Sequence, residues 1–85
     1  MTKAKFEVKN GELYINGNKV LKGFESYNGW YWFVIEEVEP GIYFGFVQGL
    51  DEEWGYFSQE EIDSLMKRGL AWEIRKKDLP FAGRR

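Results

Sequence analysis

Residues Phe6-Glu7-Val8-Lys9 alternate apolar and polar side chains, the period-two signature of a strand with one buried face. Asn10-Gly11 follows, and both positions accept positive φ, which suits a two-residue type I′ turn. Glu12 to Ile15 is the predicted return strand, Asn16-Gly17-Asn18 a second turn, and Val20 to Phe24 a third strand. Asn28-Gly29 marks another turn. Beyond it, Trp30-Tyr31-Trp32-Phe33-Val34-Ile35 is apolar in both alternating sets. Such a strand sits centrally, or has one face covered from outside the sheet. Glu36, Glu37 and Glu39 are expected to leave the sheet, with a turn at Pro40-Gly41. Ile42 to Val47 returns, Gly49 to Glu53 forms a loop, and Trp54 to Phe57 is a short strand.

The period then changes. Ser58 and Glu61 have the spacing of a capping box, and Phe57 with Ile62 that of a hydrophobic staple. Ile62, Leu65 and Met66 fall on one side at helical spacing. Asp63 and Lys67 stand four apart in the favourable order. Lys67 and Arg68 suit the negative end of the helix dipole, and Gly69 suits the terminator. The pattern predicts a helix over 59–68. Leu70, Trp72 and Ile74 alternate with Ala71, Glu73 and Arg75, a last half-buried strand with the first set inward. The expected fold is α+β: an antiparallel meander sheet of about five to seven short strands, curled toward a small barrel, with that one helix. Residues 1–81 are expected to form a single domain, and 82–85 a frayed basic tail.

Composition narrows the chemistry. The chain of 85 residues has no cysteine and no histidine, which removes disulfides, thiolate nucleophiles, zinc fingers and imidazole bases. Ser26, Ser58 and Ser64 therefore lack an imidazole to activate them, and Ser58 is accounted for by capping. Glycines are spaced through GIYFGFVQG (41–49), but no lysine and no helix start follows, so this is not a phosphate loop. Asp51-Glu52-Glu53 lacks the spaced oxygen ligands of a calcium loop, so no metal and no cofactor is expected. Paired carboxylates can serve glycoside cleavage only when one sits in an apolar pocket. Neighbouring acids in turns are ordinarily solvated, and no catalytic residue is expected. MTKAKFEVKN has no apolar run of signal-peptide length, and the longest apolar stretch is the six residues from Trp30 to Ile35. A bilayer needs about 20. A cytoplasmic protein without a membrane segment is the expectation.

The net charge of -2 conceals an uneven distribution. Residues 1–24 carry +3, residues 25–63 carry -10 with no base at all, and residues 64–85 carry +5. Either the basic ends pair with the acidic middle, or the middle presents an acidic face to a basic partner.

GYFSQEEID (55–63), followed after the helix by WEIRKKDLPF (72–81), resembles small single-domain proteins carried on plasmids, phages and integrated elements. The tryptophan-tyrosine run (30–32) and FGFVQG (44–49) are similar to that family's middle strands, so the resemblance spans residues 30–81. The family is one of unknown function. The resemblance implies a mobile-element setting, not an activity.

Sixteen aromatic residues must be placed (7 Phe, 5 Tyr, 4 Trp). If the strands pair without a bulge, Trp30, Trp32, Ile42, Phe44 and Phe46 share one face and Tyr31, Phe33, Ile35, Tyr43 and Val47 the other. One helix with a three-residue apolar stripe cannot cover both. The uncovered face is expected to bind a protein partner or to self-associate as a homodimer, unless sheet curvature and the N-terminal hairpin enclose it. Gly45 would leave room there for an approaching group. The candidate binding residues are Tyr31, Phe33 and Tyr43, with Glu36, Glu37, Glu39, Asp51, Glu52 and Glu53 steering a basic partner. The function so expected is that of a non-enzymatic protein-binding domain directed at a host nucleic-acid-handling or defence protein. The alternative is direct nucleic-acid binding through Lys67, Arg68, Arg75, Lys76, Lys77, Arg84 and Arg85. It carries less weight because the aromatic-rich middle is the acidic part.

Overall fold

Two Asn-Gly turns set the N-terminal end of the molecule. Asn10 and Gly11 have φ of 53° and 77°, and Asn16 and Gly17 have 51° and 80°. This is the doubly positive backbone that matches a tight turn to the twist of its strands. Strands β1 (Phe6–Lys9), β2 (Glu12–Ile15) and β3 (Asn18–Lys19) thereby form a three-stranded antiparallel sheet. The computed structural model describes residues 4–83. The expected third strand breaks at Val20-Leu21, and the chain passes there into a second sheet. That sheet is formed by β4 (Lys22–Ser26), β5 (Tyr31–Glu39), β6 (Ile42–Gln48), β7 (Glu52–Ser58) and β8 (Ala71–Glu73), in the order β7-β6-β5-β4-β8. The architecture is therefore two antiparallel sheets and one helix, in place of the single meander that the turn pattern suggests, and it is not a closed barrel.

Helix α1 (Gln59–Lys67) forms where its signals lie. Ser58 Oγ accepts the Glu61 N–H at 3.1 Å, and Glu61 Oε1 accepts the Ser58 N–H at 3.0 Å. At the other end the Leu70 N–H donates to Leu65 O and the Gly69 N–H to Met66 O, with Gly69 at φ 71°. These are the two bonds of a Schellman terminator. Asp63 departs from expectation: its carboxylate accepts from Gln59 Nε2 at 2.7 Å, and no ion pair with Lys67 forms.

The five-stranded sheet is covered on both sides. On the helix face, Phe24, Val34, Tyr43 and Phe57 pack with Ile62, joined by half-buried Trp32, Val47 and Met66. On the opposite face, Phe33 and Phe46 pack with Leu13 and Ile15 of the small sheet, and with Ile74, Leu79 and Ala82. Leu79 belongs to a 3₁₀ turn, Leu79–Phe81, that closes this layer. The small sheet thus does for one face what α1 does for the other. Ala82 and Gly83, which the sequence assigns to a frayed tail, are buried. Arg84 and Arg85 lie outside the described residues, as do residues 1–3. β8 is also turned relative to expectation: Ala71 is buried and Trp72 is 45% exposed.

Candidate binding surface

β5 does not end at the acids. It runs to Glu39 and carries two register shifts against β6, between Val34 and Glu36 and between Glu37 and Glu39. Each bulge adds a residue to one strand only. The shift at Ile35 reverses the parity of the pairing for everything before it, so Phe33 stands opposite Phe46 and Trp32 opposite Val47. The face grouping expected for unbulged strands is corrected accordingly. Tyr31 and Phe33 share a face with Phe44 and Phe46, and Tyr43 and Val47 share the helix face with Trp32 and Val34. Gly45 makes room for its own neighbour and not for a ligand. A Cβ there would collide with the carbonyl oxygen of Phe33 on β5.

The expected contact rings are distributed by this register. Phe33 is 0% exposed and Tyr43 is 3% exposed, on opposite faces. The Tyr43 hydroxyl donates to Gln59 Oε1 at 2.6 Å, which ties β6 to the helix. Tyr31 is half-buried; its ring stacks on Phe33 at 5.8 Å and its hydroxyl donates to Glu25 at 3.0 Å. Phe33 and Tyr43 are core residues in this arrangement.

The acids separate into two groups. Glu36, Glu37 and Glu39 are exposed near the β5–β6 turn, whereas Asp51, Glu52 and Glu53 are exposed near the β6–β7 turn. β6 has seven residues, so these ends lie about 20 Å apart. Glu36 pairs with Phe44 and Glu39 with Ile42, which places both acids on the Phe33 face. Glu37 pairs with Tyr43 on the helix face, and its carboxylate accepts the Gly41 N–H at 2.9 Å. Glu52 accepts from Gln48 Nε2 at 2.9 Å. Among the described residues the ion pairs are Lys5–Glu7, Lys19–Glu12 and Arg75–Asp78. All three lie within the basic ends; none joins an end to residues 25–63.

The sequence reading missed a different group of rings. β6 and β7 pair without a shift, placing Phe44 opposite Tyr56 and Phe46 opposite Trp54. Phe44 and Tyr56 meet edge to face at 5.3 Å, Phe44 stacks near Trp54 at 6.1 Å, and Trp54 lies 4.9 Å from Phe46. Tyr56 is 73% exposed, while Phe44 and Trp54 are half-buried. The small sheet covers the middle of this face but not its β6–β7 corner. Glu36, Phe44 and Tyr56 thus form one row across three strands, with Glu39 and Ile42 beyond it. Tyr27, Trp72 and Phe81 are also exposed, but no ring contact joins them to one another among the described residues. The signal for Tyr56 was its place in GYFS: Phe57 is committed inward as the staple, so its neighbour must point to the other face.

A cleft of about 140 Å³ lies between the small sheet and the 3₁₀ turn, with Lys19, Leu21, Lys76 and Pro80 in its lining. Ligand pockets ordinarily enclose about 300–1,000 Å³. Lys67 and Arg68 end the helix, whereas Arg75, Lys76 and Lys77 follow β8, so β8 separates the two basic groups. Among the described residues no three acids converge as a metal-ion site would require. No described helix is long and apolar enough to cross a membrane. Comparison with protein-family models, with curated proteins and with solved structures finds no match to this chain.

Proposed function

We propose that this chain is a non-enzymatic protein-binding domain whose contact surface is the ring ladder Phe44, Trp54 and Tyr56, flanked by Glu36 and Glu39. The observation that carries the reading is the row Glu36–Phe44–Tyr56. It puts a largely exposed tyrosine in ring contact with Phe44, and Phe44 in turn beside the Glu36 position, at a corner of the sheet. Connected rings with one polar end are favourable interface anchors. The acids select a partner with a basic face and raise its rate of encounter. The resemblance over residues 30–81 supports a mobile-element origin. A host protein that handles nucleic acid, or a defence protein, is then the proposed target, because its phosphate-binding face is basic.

The test is capture from a lysate of host cells, with a variant combining Glu36→Lys and Glu39→Lys as the control. The wild type is expected to retain a basic protein that the variant releases, and added salt is expected to weaken retention. Equal retention by both proteins contradicts the reading. Direct nucleic-acid binding would instead show as a shift of oligonucleotides at low salt that survives the double reversal.

A further inference from the structure

β7 is an edge strand of the five-stranded sheet, with no described strand on its outer side, and its register fixes which backbone groups face outward. The Gln59 N–H donates to Gly41 O at 2.8 Å, one step beyond the Ile42–Ser58 pair. Antiparallel ladders alternate bonded and non-bonded pairs. Tyr43–Phe57, Gly45–Gly55 and Val47–Glu53 are therefore the bonded pairs of the β6–β7 ladder. Phe44–Tyr56 and Phe46–Trp54 are the non-bonded ones, in agreement with their close ring contacts. Ser58 belongs to the second set, and its outward N–H is taken by Glu61 Oε1 at 3.0 Å. The outward N–H and C=O groups of Trp54 and Tyr56 have no partner among the described residues.

Other edges are protected in ordinary ways. β8 has three residues and runs into Arg75-Lys76-Lys77, β3 has two, and β1 has four with Lys9 at its end. β7 has seven residues, no lysine, no proline and no bulge. Its two faces differ: Trp54 and Tyr56 lie on one, Glu53 and the bare Gly55 on the other. An added strand would meet Trp54 and Tyr56 on one face and the bare Gly55 on the other, with Glu52 and Glu53 at the start of β7 and Glu60 and Glu61 just past its end. A second copy of this chain would bring Asp51, Glu52 and Glu53 toward Glu60 and Glu61 in an antiparallel pairing centred on Gly55, so like charges oppose that occupant.

Resting on the docking surface proposed above, we infer that β7 accepts a partner's extended basic segment as a sixth strand, bonded to the backbone of Trp54 and Tyr56. This is strand addition to a sheet edge, with main-chain bonds for affinity and alternate side chains for selection.

The probes are synthetic eight-residue peptides, one alternating lysine with valine and one alternating glutamate with valine. Titration of the lysine–valine peptide is expected to slow amide hydrogen exchange at Trp54 and Tyr56, and the glutamate–valine peptide to bind at least about tenfold more weakly. Tyr56→Pro removes an N–H that the β6–β7 ladder does not use, and such an edge position tolerates proline. It is expected to weaken peptide binding about tenfold relative to Tyr56→Ala, which keeps the N–H. Should Tyr56→Pro fail to fold, the exchange measurement on the wild type decides alone. Failure of the lysine–valine peptide to bind at millimolar concentration overturns strand addition, as does binding that leaves both amides exchanging at their free rates. Dimerisation through β7 in sedimentation overturns it in favour of a second copy. If Glu36→Lys with Glu39→Lys abolishes peptide binding while the two amides stay unprotected, the docking surface stands and strand addition falls. Binding indifferent to both sets of variants removes both.

Discussion

Gly45 has no room for a side chain because the bulge at Ile35 brings the Phe33 carbonyl toward it. Gly45→Ala must shift backbone at the centre of the sheet and is expected to cost about 1–3 kcal/mol, read as a lower urea midpoint. An unchanged midpoint would mean that β5 and β6 do not pair in this register. Lys22 offers a second residue-scale check. Its ammonium lies 5.1 Å from the centre of the Tyr43 ring. The Tyr43 side chain beside it is the main cause raising its pKa; partial burial opposes this, and the charges of Glu73 and Glu37 add to it. The folded chain thus holds this proton more tightly than the unfolded chain, whose value is near 10.5. The resulting stability is complete below that value and is lost as pH rises through the raised folded one. Stability measured against pH should fall more steeply on the alkaline side for the wild type than for Lys22→Met. Parallel curves would contradict the contact.

At the scale of elements, what is local was legible. Asn10-Gly11, Pro40-Gly41 and the Ser58–Glu61 box act within a few residues, and each forms where its sequence signal lies. Ser58→Ala removes the side-chain half of the box. It is expected to cost about 1 kcal/mol, or about 4–8 °C in thermal midpoint, while Ser64→Ala on the exposed side of α1 leaves the box intact. Equal losses would show that the cap does not hold α1. What depends on register was not legible. A bulge has no composition of its own, and β5 is apolar on both faces, so alternation could not tell which set met Phe46. One extra residue at Ile35 exchanged the faces, took Phe33 and Tyr43 into the core, and kept Glu36 and Glu39 in the sheet beside Phe44 and Tyr56. The cover over Phe33 was illegible for another reason. It comes from residues 4–20 and 74–82, far away in the chain.

For the whole molecule, two covering layers leave one corner open, and the contrast between sealed and open rings has measurable consequences. Phe33→Ala is expected to cost about 3–5 kcal/mol of stability. Tyr56→Ala removes only a cross-strand edge contact worth about 0.2–1 kcal/mol. Comparable losses would place Tyr56 in the core. The charge pattern fits the same division: among the described residues the three ion pairs lie within the basic ends, and none involves Glu36 or Glu39. The most direct test is the binding footprint of the partner retained in the lysate experiment, mapped by backbone amide shifts on the isotope-labelled protein. Perturbations centred on Glu36, Phe44, Trp54 and Tyr56 are the predicted result; perturbations centred on Trp72 and Arg75–Lys77, with the β6–β7 corner unchanged, would contradict it.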